Sequence, residues 1–139
     1  MITIKQSLKP SFDTSLLERA ARAALDQQSA HGDLTIVLTD DNKLHELNRD
    51  YLGVDAPTDV LSFPVGEVDP ESEALYLGDI LISYPRALAQ AEAAGQPVQA
   101  ELRLLVVHGT LHLLGYDHAE EDEQALMWKA QDEILARLG

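Results

Sequence analysis

The chain contains no cysteine, which removes disulfides, a thiol nucleophile and thiolate metal ligands together. Any transition metal must then be held by imidazole or carboxylate. Aromatic residues are only 5% of the 139 residues, so Leu, Val, Ile and Ala have to fill most of the core. Bases are scarce too: 10 Lys and Arg face 24 Asp and Glu, for a formal net charge of -14. Nucleic acid repels such a chain at long range, so an RNA substrate would require a local basic groove or a docking partner. Otherwise the acidic excess is a well-solvated surface. No apolar run approaches the ~20 residues that span a bilayer, and the opening MITIKQSLKPSF lacks the apolar stretch of a signal peptide. The expectation is a cytoplasmic protein that engages neither membrane nor DNA.

What is present suffices to fold. A hydrophobic fraction of 45% over this length predicts one domain, residues 1–139, around a single core. ITIKQS alternates like a short strand. From Asp13 to Gln28, Leu16, Leu17, Ala20, Ala21, Ala24 and Leu25 recur at helical spacing. His31-Gly32-Asp33 reads as a turn and LTIVLT as a strand. Asp40 and Asp41 offer an N-cap to a second helix with Leu44, Leu47 and Tyr51 on one face. Residues 53–58 read as a loop, DVLSFPV as a third strand with Pro64 marking an edge or an end, GEVDPESEA as a polar turn, and GDILIS as a fourth strand. Pro85 opens an Ala-rich helix that stops at Gly95.

The helix predicted from Val98 to Leu114 is apolar on nearly every side, which places it at the centre of the domain. A last helix, Glu120–Leu138, carries Met127, Ala130, Ile134 and Leu138 as its inward stripe. The pattern predicts an α+β fold: one small domain, a mixed sheet of about four strands packed against helices, and a central buried helix carrying a metal motif. Strand order is not readable from it.

Three of the five histidines fall within HGTLHLLGYDH, residues 108–118. His108 and His112 are four apart on the central helix, so they project from one face. Gly115 stands where a helix turns back through a left-handed residue, which allows His118 to approach the same ion. The spacing is that of the metzincin zinc motif, and three imidazoles leave a tetrahedral zinc with one open position, the layout of a catalytic centre. Three individually hydrogen-bonded histidines are the alternative, and the spacing with a glycine at the bend argues against it. A zinc peptidase has Glu directly after the first His as general base. Here that residue is Gly109, which demotes the peptidase reading and is expected to clear space beside the metal. Asp117 has capping-box spacing to Glu120, a reading preferred to a role in orienting an imidazole. His31 and His45 read as surface residues.

Taken whole, HGTLHLLGYDH resembles the signature of the YbeY family of bacterial endoribonucleases and ribosomal RNA maturation factors. LNRDYLGVDAPTDVLSFP (47–64) and LGDILIS (77–83) resemble the family's other blocks, so the likeness covers nearly the whole chain. The resemblance implies a small α+β domain with a four-stranded sheet, and one zinc ion per chain on His108, His112 and His118. It implies single-strand-directed cleavage of RNA, with roles in 3′-end maturation of small-subunit ribosomal RNA and in ribosome quality control. The implied partners are the small ribosomal subunit, a small-subunit ribosomal protein and the Era GTPase. Many members carry an Arg where this chain has Leu52. Arg49, one helical turn away, is the candidate replacement as a catalytic cation. Asp59 and Ser62 become candidates for the chemistry because the second block places them near the site. Two further readings remain: a non-catalytic zinc-binding ribosome-assembly factor, and a metal-dependent peptide or amide hydrolase.

Overall fold

The computed structural model describes residues 2–6, 13–116 and 120–138. Within them four strands and five helices follow in the order β1 (Ile2–Gln6), α1 (Ser15–Gln27), β2 (Asp33–Thr39), α2 (Asp41–Leu52), β3 (Val60–Val68), β4 (Leu75–Ser83), α3 (Tyr84–Ala94), α4 (Val98–Leu113) and α5 (Glu121–Leu138). The expected α+β domain with a four-stranded mixed sheet is present. Its strand order is β1-β2-β4-β3, with β1, β2 and β4 parallel and β3 antiparallel to β4. Parallel neighbours need crossovers, which α1 supplies between β1 and β2. The path from β2 to β4 runs through α2 and β3.

Alternation along β2 and β4 sends Leu34, Ile36, Leu38, Ile80 and Ile82 into the core, each with no exposed surface. Across from them lie α1 and α4. Fully buried Ala20, Ala21 and Ala24 form much of the inner face of α1, and such small side chains allow close approach of the backbones. Helix α4 touches α1, α3, α5, β3 and β4. That is why its sequence is apolar all round: Leu102, Val106, Val107 and Leu111 are completely enclosed. Truncating either of these leucines to Ala would cost about 2–5 kcal/mol.

Helix ends follow the local chemistry. The Asp40 carboxylate accepts from the Lys43 amide at 2.7 Å, and Ser83 Oγ accepts from the Arg86 amide at 3.3 Å. Asp41 and Arg86, in the first turns of α2 and α3, form a two-pronged ion pair at 2.8 and 3.0 Å. The Arg86 guanidinium holds the Asp41 carboxyl below its ordinary range.

Three expectations change. The stretch 66–74 is not one polar turn, because β3 continues to Val68 and forms a hairpin with β4. Only the segment from Asp69 to Ala74 turns, closed by the Asp69 amide on the Ala74 carbonyl at 2.9 Å. Pro64 does mark an edge, as expected: it lies inside β3, an edge strand whose register shifts between Pro64 and Glu67. On α2 the inward residues are Leu44 and Asn48, whereas Tyr51 is 71% exposed. Asn48 Nδ2 donates to the Ala56 carbonyl at 2.9 Å and pins the loop after the helix. Helix α5 starts at Glu121, with Met127, Ala130 and Ile134 buried. The proposed cap Asp117 lies outside the described residues. Among those described, no helix is long and apolar enough to cross a membrane.

Candidate metal centre

Helix α4 places His108 and His112 one turn apart. Their Nε2 atoms stand 3.2 Å from each other, with ring centroids 4.7 Å apart and planes crossing at 77°. Two nitrogens bound at 2.0–2.1 Å to one tetrahedral zinc would lie about 3.3 Å apart. The imidazole pair therefore fits such an ion with almost no rearrangement, and neutral imidazole is a fitting donor for it. Both rings line one wall of a cavity of about 340 Å³, whose other walls include Leu52, Asp59, Ser62 and Pro64.

The way out of α4 is equally defined. The Gly115 amide donates to the His112 carbonyl at 3.1 Å and the Tyr116 amide to the Leu111 carbonyl at 3.0 Å. Gly115 has φ +101°. This paired pattern is the Schellman motif, and it turns the chain back just before His118. Tyr116 packs on the core, and its hydroxyl donates to Gln28 Oε1 at 2.9 Å, tying the turn to the end of α1. His118 itself lies outside the described residues. Among those described, no group of three His, Asp or Glu side chains forms a metal cluster.

Gly109 does not clear space beside the imidazoles. A Cβ there would stand 2.7 Å from Ile80 Cγ2 and 3.2 Å from Ser62 Oγ. The residue faces the sheet, and its absent side chain lets α4 press onto β3 and β4. Ser62 Oγ donates to the Gly109 carbonyl at 3.1 Å, so Ser62 fastens the edge strand to the histidine helix. Asp59 lines the cavity with both histidines, as expected, and its carbonyl accepts from the Ser83 amide at 2.9 Å.

Arg49 is placed differently. It is exposed, its Nε donates to Asp50 at 2.9 Å, and it does not line the cavity. Leu52 does. Among the described residues lining this cavity there is no Lys or Arg. His31 is exposed, and His45 Nε2 lies 2.7 Å from Asp55.

Two polar residues near the site carried no sequence signal. Gln131 of α5 directs Oε1 at His108 Nδ1, 3.1 Å away. It sits beside the buried stripe rather than in it, so periodicity alone passes it over. Glu101, in the first turn of α4, is 7% exposed and accepts from Gln96 at 3.0 Å. Burial raises its carboxyl above the ordinary value, and the nearby Asp59 charge adds to this.

A mixed four-stranded sheet, a central helix with two converging imidazoles and a glycine where peptidases have glutamate define a small α+β class with a histidine-bearing central helix, distinct in sequence from the zinc peptidases. Comparison with known proteins gives that class a family. The family described as endoribonuclease YbeY matches residues 2–139. An endoribonuclease YbeY of Chloroflexus aurantiacus is 48% identical over 135 residues, covering 91% of this chain and 88% of its own. The endoribonuclease YbeY of Brevibacillus brevis is 42% identical over 137 residues, covering 90% and 86%. The solution structure of a Thermotoga maritima protein superposes with a TM-score of 0.67 at 29% identity, covering 97% of this chain and 87% of that one. The chain belongs to the YbeY endoribonuclease family.

Proposed function

We propose that this protein is a zinc-dependent endoribonuclease that cuts single-stranded RNA during maturation of the small-subunit ribosomal RNA 3′ end and in ribosome quality control, in the cytoplasm. The observation that carries the proposal is the 3.2 Å approach of His108 and His112 Nε2 on the wall of an open cavity. His108, His112 and His118 would hold one zinc ion per chain. Bound there, zinc would lower the pKa of a water ligand to ~7 and polarise a phosphoryl oxygen.

The chain's own groups do the rest. Asp59 faces the cavity from the start of the hairpin, where a carboxylate can take up or return a proton. Ser62 holds β3 against α4 and so keeps the strand that follows Asp59 seated on the histidine helix. Leu52 contributes an apolar wall and no charge. Phosphate therefore meets no Lys or Arg among the described lining residues. Arg49 would have to leave Asp50 to serve as the cation. Installing a cation directly, Leu52→Arg, should raise cleavage by about 10-fold or more through charge stabilisation on phosphorus.

A second reading has support of its own. The net charge of -14 and Leu52 both suit an assembly factor that reaches RNA through protein partners and cuts weakly or not at all. A small-subunit ribosomal protein and the Era GTPase are the partners proposed under either reading. The peptidase reading loses ground, because residue 109 has no room for a general base.

The deciding experiment is cleavage of a ribosomal RNA 3′-end fragment by metal-quantified protein beside folded His112→Ala. Cleavage by the wild type alone supports the nuclease. No cleavage by wild type carrying one zinc overturns it in favour of the assembly factor. Equal cleavage by both overturns the assignment of His112.

A further inference from the structure

We propose that Gln131 is a positioning residue that fixes the tautomer of His108 and so keeps its Nε2 lone pair available to a metal ion. The proposal rests on the reading of His108 and His112 as ligands. Its physical basis is separate from that reading.

The His108 ring has a defined neighbour on each nitrogen. Nδ1 lies 3.1 Å from Gln131 Oε1, and Nε2 lies 3.2 Å from His112 Nε2. An amide oxygen only accepts, so Nδ1 carries the hydrogen. A neutral imidazole protonated at Nδ1 has its lone pair on Nε2, the nitrogen that faces His112. The amide in the opposite orientation would present NH2 to Nδ1, move the ring hydrogen to Nε2 and block that atom as a ligand. The oxygen of one side chain thus selects which nitrogen of another is open.

The contact is built to persist. Gln131 follows buried Ala130 and comes one turn after Met127, which is completely enclosed. Its backbone is therefore set by the packing of α5 on the core. Behind His108 the two side chains share a cleft of about 170 Å³ with Asp59, Val60, Leu104, Leu105 and Trp128. The Trp128 ring centroid is 5.7 Å from that of His108, tilted by 35°. The Trp128 ring and the leucine side chains beside it restrict rotation of the imidazole. Partners of this kind hold a ligating histidine in register and typically change metal affinity by about 10–100-fold when lost.

The test uses the full chain and two variants, Gln131→Met and Gln131→Glu. Zinc affinity is measured by competition with a chromophoric chelator, and ring 15N shifts report the His108 tautomer in metal-free protein. The expected result is an Nδ1-protonated His108 in the wild type. Gln131→Met should mix the tautomers and weaken zinc binding by about 10–100-fold. Gln131→Glu, which keeps an accepting oxygen, should restore both. Three results would overturn the proposal: an Nε2-protonated His108 in the wild type, zinc affinity of Gln131→Met within twofold of wild type, or failure of Gln131→Glu to rescue. Should Gln131→Met not fold, the wild-type spectrum and the Glu variant decide. Wild type that binds no zinc, while His108 remains Nδ1-protonated, overturns the ligand reading and leaves the Gln131 contact as pure structure.

Discussion

A Cβ added at residue 109 would meet Ile80, a fully buried β-branched residue whose methyl groups have little freedom to yield. Gly109→Ala is therefore expected to cost about 1–3 kcal/mol in a urea denaturation series. A stability equal to wild type would mean that α4 can lift from the sheet. Glu101 offers a test by pH. Its folded-state carboxyl titrates above the unfolded one, so the folded state keeps its proton longer. Stability from this group is full below the unfolded value and falls as pH rises through the folded one. Glu101→Gln keeps an acceptor for Gln96 and removes that penalty. Its Tm should exceed wild type at neutral pH, with the gap closing as pH falls below the ordinary carboxyl value; a gap independent of pH would assign the effect to packing. The imidazole pair was legible at this scale because spacing on a helix is local. Arg49 was not, since its orientation depends on which neighbour the guanidinium finds, and that neighbour is Asp50.

Among the elements, the corner after α4 is the one that links fold to site. Gly115 carries φ +101°, a region that an alanine adopts only under strain, so Gly115→Ala should destabilise by about 1 kcal/mol or more. Tyr116→Phe removes the hydroxyl on Gln28 and should cost about 0.5–1.5 kcal/mol. If the corner also directs the chain toward the ion, both changes should weaken zinc binding beyond their effect on metal-free stability, measured by calorimetric titration against thermal melts. Loss of stability without loss of affinity would make the corner purely structural. Helix ends were readable in advance from Asp40, Pro85, Gly95 and Gly115, each a local stop or start signal. The hairpin was only half readable. Residues 65–68 are exposed on an edge strand, so no alternation of polarity marks them, and pairing to β4 decides their conformation.

For the molecule as a whole, strand order was invisible because it is set by contacts between residues far apart in sequence. Overall charge, in contrast, is read directly from composition. A chain of -14 meets a free RNA strand under mutual repulsion, whose reach shrinks from about 30 Å at 0.01 M salt to about 8 Å at 0.15 M. Association with a free oligonucleotide, followed by stopped flow, should therefore hold steady or quicken across that range. A steep slowing would reveal a basic track that outweighs the net field.

The sheet also has a free margin at β3, and that margin bears on how the protein behaves in crowded solution. A row of unpaired amides and carbonyls is a template on which another chain can grow. Pro64 offers no amide to such a row, and the register shift between Pro64 and Glu67 bends the far half of the strand. Together they leave no long regular stretch for a foreign strand to copy. The hairpin that frames the histidine-lined cavity therefore offers a poor template for strand addition, although Val65 and Val68 are exposed along it.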